Sequence, residues 1–284
     1  MFALPGRTQS KLTEAQWQSL YKQACYCFEA GQHEQAVAIN NTLLFQSDIP
    51  ADVAAQVIHN RELSLEALYP KVAQPPATNN KIKVFVYFRS PGRWLLECLD
   101  SLKFQDYEVF QVYFADDGCS DSPPFSIPAD HGNVTLTRNE TSLGWSDCLH
   151  ACLTHGDADD LIFPLDGRLA YCDALTIVNE FFNSYDCSIM YGQYKYSSGE
   201  LGLTFPIINP DVSNVLRKAG YSPVPFIFRC RAYQELVSDA SALSLLSCSE
   251  DTAQRALYYA LLDHCGLDQA RFSNQILTIM HAGT

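Results

Sequence analysis

The chain has 284 residues, 47% of them hydrophobic, which is enough for one full domain and a smaller appendage. A formal net charge of -13 argues against a nucleic-acid backbone or an anionic membrane surface as the main partner, because like charges repel. No apolar run approaches the ~20 residues that span a bilayer, and the opening MFALPGRTQSK lacks the apolar core of a signal peptide, so a cytoplasmic location is expected. The 11 cysteines form no Cys-x-x-Cys pair and read as small buried hydrophobes in a reducing compartment.

Residues 1–72 carry helical periodicity. From Leu12 to Ala30, Trp17, Leu20, Tyr21, Ala24, Cys25 and Phe28 fall on one stripe, and Gly31-Gln32 stops it. A second helix is expected from His33 to Phe45, and a third from Ala51 to Leu68, after Pro50. CFEAGQHEQAVAI (Cys27 to Ile39) resembles the helix-turn-helix of a tetratricopeptide repeat. The resemblance implies a structural cap, a self-association element or a site for a protein partner. A Pro-rich, polar, aperiodic linker occupies 73–80.

A different pattern begins at residue 81. Val84 to Phe88 is a β-branched and aromatic run that suits a buried strand. Ser90-Pro91-Gly92 breaks it and opens a helix in which Trp94, Leu95, Cys98, Leu99 and Leu102 recur at helical spacing. A second strand, Val109 to Ala115, ends in an acidic turn, Asp116-Asp117-Gly118. Ligands gather at the carboxyl ends of parallel strands, so these two acids are candidates for a site; the alternative is plain turn capping. NETSLGWSDCLHACL (Asn139 to Leu153) reads as a tight turn at Gly144 leading into a helix. Leu161 to Leu165 is an apolar run ending in Asp166.

Further on, GELGLTFPIINP (199–210) is expected to loop, and Ser222 to Leu236 to run from strand into helix, with Tyr191, Tyr194, Tyr196 and Tyr221 nearby. Glu250-Asp251 opens a helix whose apolar stripe is Ala256, Leu257, Tyr259, Ala260 and Leu261.

These landmarks, in this order, resemble family-2 glycosyltransferases. The residues that carry the resemblance are CLDSL (Cys98 to Leu102), DDGCSD (Asp116 to Asp121), NETSLGWSDCLHACL, ADDLIFPLDGRL (Ala158 to Leu169), SEDTAQRALYYALLDHCG (Ser249 to Gly266) and TIMHAGT (Thr278 to Thr284). The resemblance implies an α/β, GT-A (Rossmann-like) domain over 81–284 that binds a nucleotide-diphosphate sugar and transfers the sugar, with inversion, to a carbohydrate or protein acceptor. It places Asp117, with Asp116, on the nucleotide base, and Phe88 and Arg89 in the loop flanking base and ribose. Asp251 becomes the base that deprotonates the acceptor, with Glu250 supporting it; a carboxylate at a helix N-terminus is held ionised there.

The chain departs from the family at two points. The Asp-x-Asp that holds Mn²⁺ or Mg²⁺ reads Asp166-Gly167-Arg168. A single carboxylate then binds metal with the help of His281, or Arg168 itself neutralises the phosphates, or activity is lost. Leu149 and His150 stand where the family carries a nucleotide-facing arginine and asparagine. A non-catalytic GT-A-like binding module is therefore the alternative function. A nucleotidyltransferase would need a Gly-rich basic phosphate loop near the first strand, which the sequence lacks.

Overall fold

A computed structural model describes residues 12–45, 49–68, 78–90, 92–118, 133–154, 156–197, 204–206, 225–238, 250–266 and 269–281. The chain divides into two compact units, one holding the N-terminal helices and the other the sheet.

In the first unit, α1 (Glu14–Glu29), α2 (His33–Phe45) and α3 (Ala51–Leu68) follow the sequence periodicity closely. Thr13 caps α1 in a reciprocal pair: its hydroxyl accepts from the Gln16 N–H, and its own N–H donates to Gln16 Oε1 at 2.8 Å. This satisfies donors that a helix start leaves open. α1 ends at Gly31, where the Gln32 N–H donates back to the Cys27 carbonyl at 2.8 Å. Ala24, Cys27, Ala36, Val37, Leu43, Val57, Ile58 and Leu65 are buried in this unit.

The second unit is a mixed sheet with helices on it. Its elements are β1 (Ile82–Phe88), α4 (Arg93–Lys103), β2 (Phe110–Asp117), β3 (Val134–Asn139), α5 (Trp145–Leu153), β4 (Leu161–Pro164), β5 (Arg168–Leu169), α6 (Ala174–Ser184), β6 (Ile189–Ser197), β7 (Thr204–Pro206), β8 (Phe226–Arg229), α7 (Cys230–Val237), α8 (Glu250–Cys265) and β9 (Ala270–His281). Among the described residues the order is β3-β2-β1-β4-β8-β6-β9-β5, with β7 paired to β6. β1 to β4 are mutually parallel, and β8 enters antiparallel between β4 and β6.

Alternation along β1 explains how both faces are filled. Ile82, Val84, Val86 and Phe88 pack with Leu95, Cys98, Leu99 and Leu102 of α4 and with Val178 and Phe182 of α6 in one cluster. Phe85 points the other way, and its ring meets Trp145 of α5 edge-on at 5.8 Å. A parallel strand buried on both faces needs apolar residues at every position, which is why this run reads as continuous rather than alternating.

Three sequence expectations change. β2 continues through Asp116 and Asp117, so the acids are strand residues rather than a turn. The cause is the β3 ladder, which pairs Asp116 with Arg138 and Asp117 with Asn139. Within 199–210, Thr204–Pro206 is a strand on β6 rather than loop; the rest of that stretch lies outside the described residues. In α8 the core-facing tyrosine is Tyr258, fully buried among Phe226 and its neighbours, whereas Tyr259 is only partly buried. No helix among the described residues is long and apolar enough to cross a membrane.

Candidate functional site

The sheet order dictates where to look. β1 has β2 on one side and β4 on the other, so the chain reverses its winding at β1. In open α/β sheets the crevice beyond the carboxyl ends of strands at such a point accepts ligands. Here those ends are Phe88–Arg89 after β1, Asp116–Asp117 at the end of β2, Asn139 at the end of β3 and Asp166 after β4.

Asp117 is the hub of this edge. Its side chain is 1% exposed, and six donors converge on the carboxylate. Leu143 and Gly144 donate backbone N–H groups at 2.7 and 2.9 Å. The Ser142 hydroxyl donates at 2.7 Å, the Tyr87 hydroxyl at 2.8 Å, Asn139 Nδ2 at 3.0 Å and the Cys148 thiol at 3.6 Å. Burial pushes the Asp117 carboxyl up, but the donors from Leu143, Ser142, Asn139 and Gly144 outweigh it and hold the group well below the usual carboxylate range. A carboxylate has about four lone-pair positions, so this one is committed to anchoring the 139–148 segment. The sequence signal was available: Asn139, Ser142 and Gly144 are the motif residues of the NETSLGWS stretch.

The anchored segment is shaped by glycine. Gly144 caps α5 at φ 88°, ψ 162°, a conformation open to glycine almost alone. A Cβ there would meet nothing within 4 Å, so the cost of Gly144→Ala is backbone strain rather than collision. We expect the substitution to destabilise the protein by about 1–3 kcal/mol in urea unfolding, since any relief of the strain pulls the 143 and 144 N–H groups away from Asp117.

Around the hub, Arg89 and Ser142 are exposed, and Arg89 Nη2 donates to Ser142 Oγ at 2.6 Å. Phe88 is buried and packs edge-on against Phe114 at 6.3 Å. Asp116 is buried, with Arg138 Nε 3.5 Å from its Oδ2. The acid pair thus splits: Asp116 faces β3, and Asp117 faces the turn before α5.

Asp166 lies half-buried one residue beyond Leu165, whose N–H donates to the Phe85 carbonyl and so ties this end of β4 to β1. Burial and then the Asp166 charge push the neighbouring Cys98 thiol well up from its ordinary value. Arg168 stands over α4, with Nε 3.8 Å from Glu97 Oε2. Leu169 follows it, and its N–H donates to Ser101 Oγ at 3.1 Å.

Hard divalent cations gather about six oxygen ligands. Asp166 offers one carboxylate, Arg168 brings positive charge, and the His281 side chain lies outside the described residues. Among the described residues no group of three or more His, Cys, Asp or Glu could hold a metal ion. Asp166 and Arg168 by themselves do not supply such a ligand set.

Leu149 is buried in the core, and His150 Nδ1 pairs with the Tyr233 hydroxyl at 3.0 Å. Burial pushes the Tyr233 phenol up strongly, so its hydroxyl stays protonated as the partner of that imidazole. α8 begins at Glu250, as the sequence implies, but the side chains of Glu250 and Asp251 lie outside the described residues.

A cleft of about 500 Å³ opens at the opposite edge of the sheet, between Asp159, Asp186, Arg229, Arg231, Glu235 and His264. Several of its polar side chains already have protein partners: Arg231 with Asp159 at 2.8 Å, His264 with Glu235 at 3.5 Å, and Arg229 Nε with the Cys187 carbonyl at 3.0 Å. It sits at the amino ends of β4, β6 and β9, away from the switch point, and we place the candidate site at the other edge.

This α/β sheet resembles the fold of GT-A glycosyltransferases. Among solved structures, residues 1–349 of S. aureus TarS superpose with TM-score 0.52 at 16% identity, over 70% of this chain and 60% of that one. The same fragment in complex with UDP gives 0.53 at 17% identity, over 71% and 60%. The mannosyltransferase PcManGT from Pyrobaculum calidifontis, in complex with GDP-Man and Mn²⁺, gives 0.50 at 14% identity, over 92% of this chain and 68% of that one. The chain thus spans about 60% of the TarS fragment's length. No protein-family model matches the chain, and no curated protein matches it.

Proposed function

We propose that the chain is a glycosyltransferase of the family-2 type, moving a sugar from a nucleotide-diphosphate donor to a carbohydrate or protein hydroxyl with inversion. The observation that carries this reading is the convergence of Arg89, Ser142 and Asp166 on the carboxyl ends of β1 to β4, at the switch point of a GT-A-like sheet. Asp117 acts on the donor at one remove: it fixes Ser142, Leu143 and Gly144, while the exposed Arg89 and Ser142, beside Phe88, meet base and ribose. Asp116 holds the β2–β3 edge through Arg138.

Asp251, in the first turn of α8, is the base that takes the acceptor proton, and Glu250 supports it. Residues 1–72 form a tetratricopeptide-like module for self-association or a protein partner, joined through 73–80 to the transferase domain at 81–284. In this reading the protein acts in the cytoplasm.

The test is release of UDP from UDP-GlcNAc, or of GDP from GDP-mannose, followed chromatographically over a panel of acceptor sugars and peptides. Asp251→Asn is expected to lower kcat about a hundredfold, the lower end of general-base contributions, with the donor KM changed less than about twofold. Turnover untouched by this variant sinks the assignment of the base.

A second reading has its own observation. Leu149 is packed in the core and His150 is held by Tyr233, so two positions that serve the nucleotide in the family serve the fold here. A non-catalytic carbohydrate or partner binder follows from that. It is distinguished by nucleotide or glycan binding with no nucleotide release for any acceptor.

A further inference from the structure

We propose that Arg168 takes the place of a divalent cation on the donor diphosphate, and that Glu97 holds its guanidinium in the absence of donor. The inference rests on the donor-binding reading above and specifies how that site neutralises phosphate.

Four observations carry it. Arg168 follows Asp166 by two residues at the switch-point end of β4. Its Nε is buried and has no hydrogen-bond partner among the described residues, while the nearest carboxylate oxygen, Glu97 Oε2, is 3.8 Å away. That distance is beyond hydrogen bonding, so the pair is a loose electrostatic contact rather than a fork-to-fork clamp. The side chain as a whole is 33% exposed although Nε is buried, so part of it reaches solvent where an anion can approach. Finally, its backbone is fixed by pairing with Ile279 of β9 and by the Leu169 bond to Ser101 of α4. Only the side chain has to swing.

The chemistry suits the exchange. A guanidinium presents five N–H donors in a plane that matches two phosphate oxygens, and it stays charged at any working pH. One carboxylate at Asp166 with a fixed cation two residues on is a poor place for a second, divalent cation. In the transfer, the bond from the anomeric carbon to the diphosphate oxygen breaks and its electron pair remains on that oxygen. The acceptor oxygen forms the new bond and its proton passes to the base. Arg168 then hydrogen-bonds the oxygens on which negative charge develops, and no redox partner is needed.

Calorimetric titration of UDP and GDP into the full chain tests this, each in Mn²⁺ and in EDTA, with Arg168→Ala, Arg168→Lys and Glu97→Gln. Circular dichroism of each variant checks that it is folded. The expected result is an affinity for one nucleotide that differs less than about twofold between Mn²⁺ and EDTA, falls about tenfold or more in Arg168→Ala, and is partly restored by Arg168→Lys. Glu97→Gln is expected to tighten binding a fewfold, because it removes the competing carboxylate. Binding that requires Mn²⁺ and ignores Arg168→Ala overturns the arginine assignment and leaves the donor reading standing. Absence of UDP and GDP binding by the wild-type chain in both conditions overturns the donor reading, and the assignment falls with it.

Discussion

Asp117→Ala is expected to cost the protein about 3–5 kcal/mol in urea unfolding, because it removes the buried carboxylate that six donors share, and a hydrogen bond to a charged group contributes roughly 1.5–3 kcal/mol. Water entering the vacated space recovers part of the sum, which keeps the figure below a simple total. Asp117→Asn is no rescue. Its amide places an NH₂ against N–H and O–H groups that all point inward, so it exchanges attraction for repulsion at one end of the side chain.

The pH dependence follows from the depressed carboxyl. In the fold Asp117 stays ionised at acidities where the unfolded chain, with an ordinary value near ~3.9, has begun to bind a proton. Its contribution is therefore complete above about pH 4 and is lost as the pH falls further. Unfolding curves for wild type and Asp117→Ala at pH 7 and pH 3 check this: the gap between them should narrow in acid. An unchanged gap would mean that the six contacts do not discriminate between carboxylate and carboxylic acid.

Much of this architecture is legible in the sequence, for identifiable reasons. Val84 to Phe88 and Leu161 to Leu165 are continuous apolar runs because a parallel strand covered on both faces has no polar side. The Cys98-Leu99-Leu102 stripe reads as a helix because α4 rests on one face only. What escaped was information held by distant partners. Nothing near Asp116-Asp117 in the sequence says that β3 carries the ladder through them, since β3 begins only at Val134. The donors that hold Asp117, Tyr87 and residues 139–148, belong to other strands and turns, so its neighbours in the sequence do not announce them.

Periodicity also fixes the width of a helical stripe better than its phase. Choosing Tyr259 over Tyr258 is an error of one residue, about 100° around the helix, and only the Phe226 and Phe228 side of β8 decides it. Thr204–Pro206 carries no strand signal of its own, because a strand that short takes its identity from pairing with β6. The same limit applies to Arg168. Its sequence position announces a departure from Asp-x-Asp, but the orientation toward Glu97 depends on α4 lying beneath β5.

The second large effect is expected at the other end of β1, far from the candidate site. Lys83 Nζ and Asp160 Oδ2 form an ion pair at 3.0 Å with side chains 3% and 5% exposed. Burial pulls the Lys83 ammonium down, but its hydrogen bond to Asp160 and that residue's charge outweigh this and raise it above its usual value. Asp160 also accepts the Asp157 N–H at 3.0 Å, and its own carbonyl accepts the Cys230 N–H that starts α7 at 2.8 Å. Space is tight: a Cβ on Gly156 would come within 3.1 Å of Lys83 Nζ and 2.9 Å of Cys230 Sγ.

Removing one partner leaves an uncompensated buried charge, so Lys83→Met and Asp160→Leu are each expected to destabilise by about 3–5 kcal/mol. The double variant removes both desolvated charges, and its cost should be well below the sum of the singles, a coupling read directly from the mutant cycle. Because the Lys83 value is raised, the contribution of that ammonium is present at neutral pH and up to about pH 10.4, and is lost as the pH climbs through the folded-state value. Urea unfolding of the four proteins at pH 7 decides the matter. Additive costs would mean that the two side chains stabilise the fold separately, Asp160 through the 157–160 turn and Lys83 through the face of Tyr113, 5.9 Å from its ring centre.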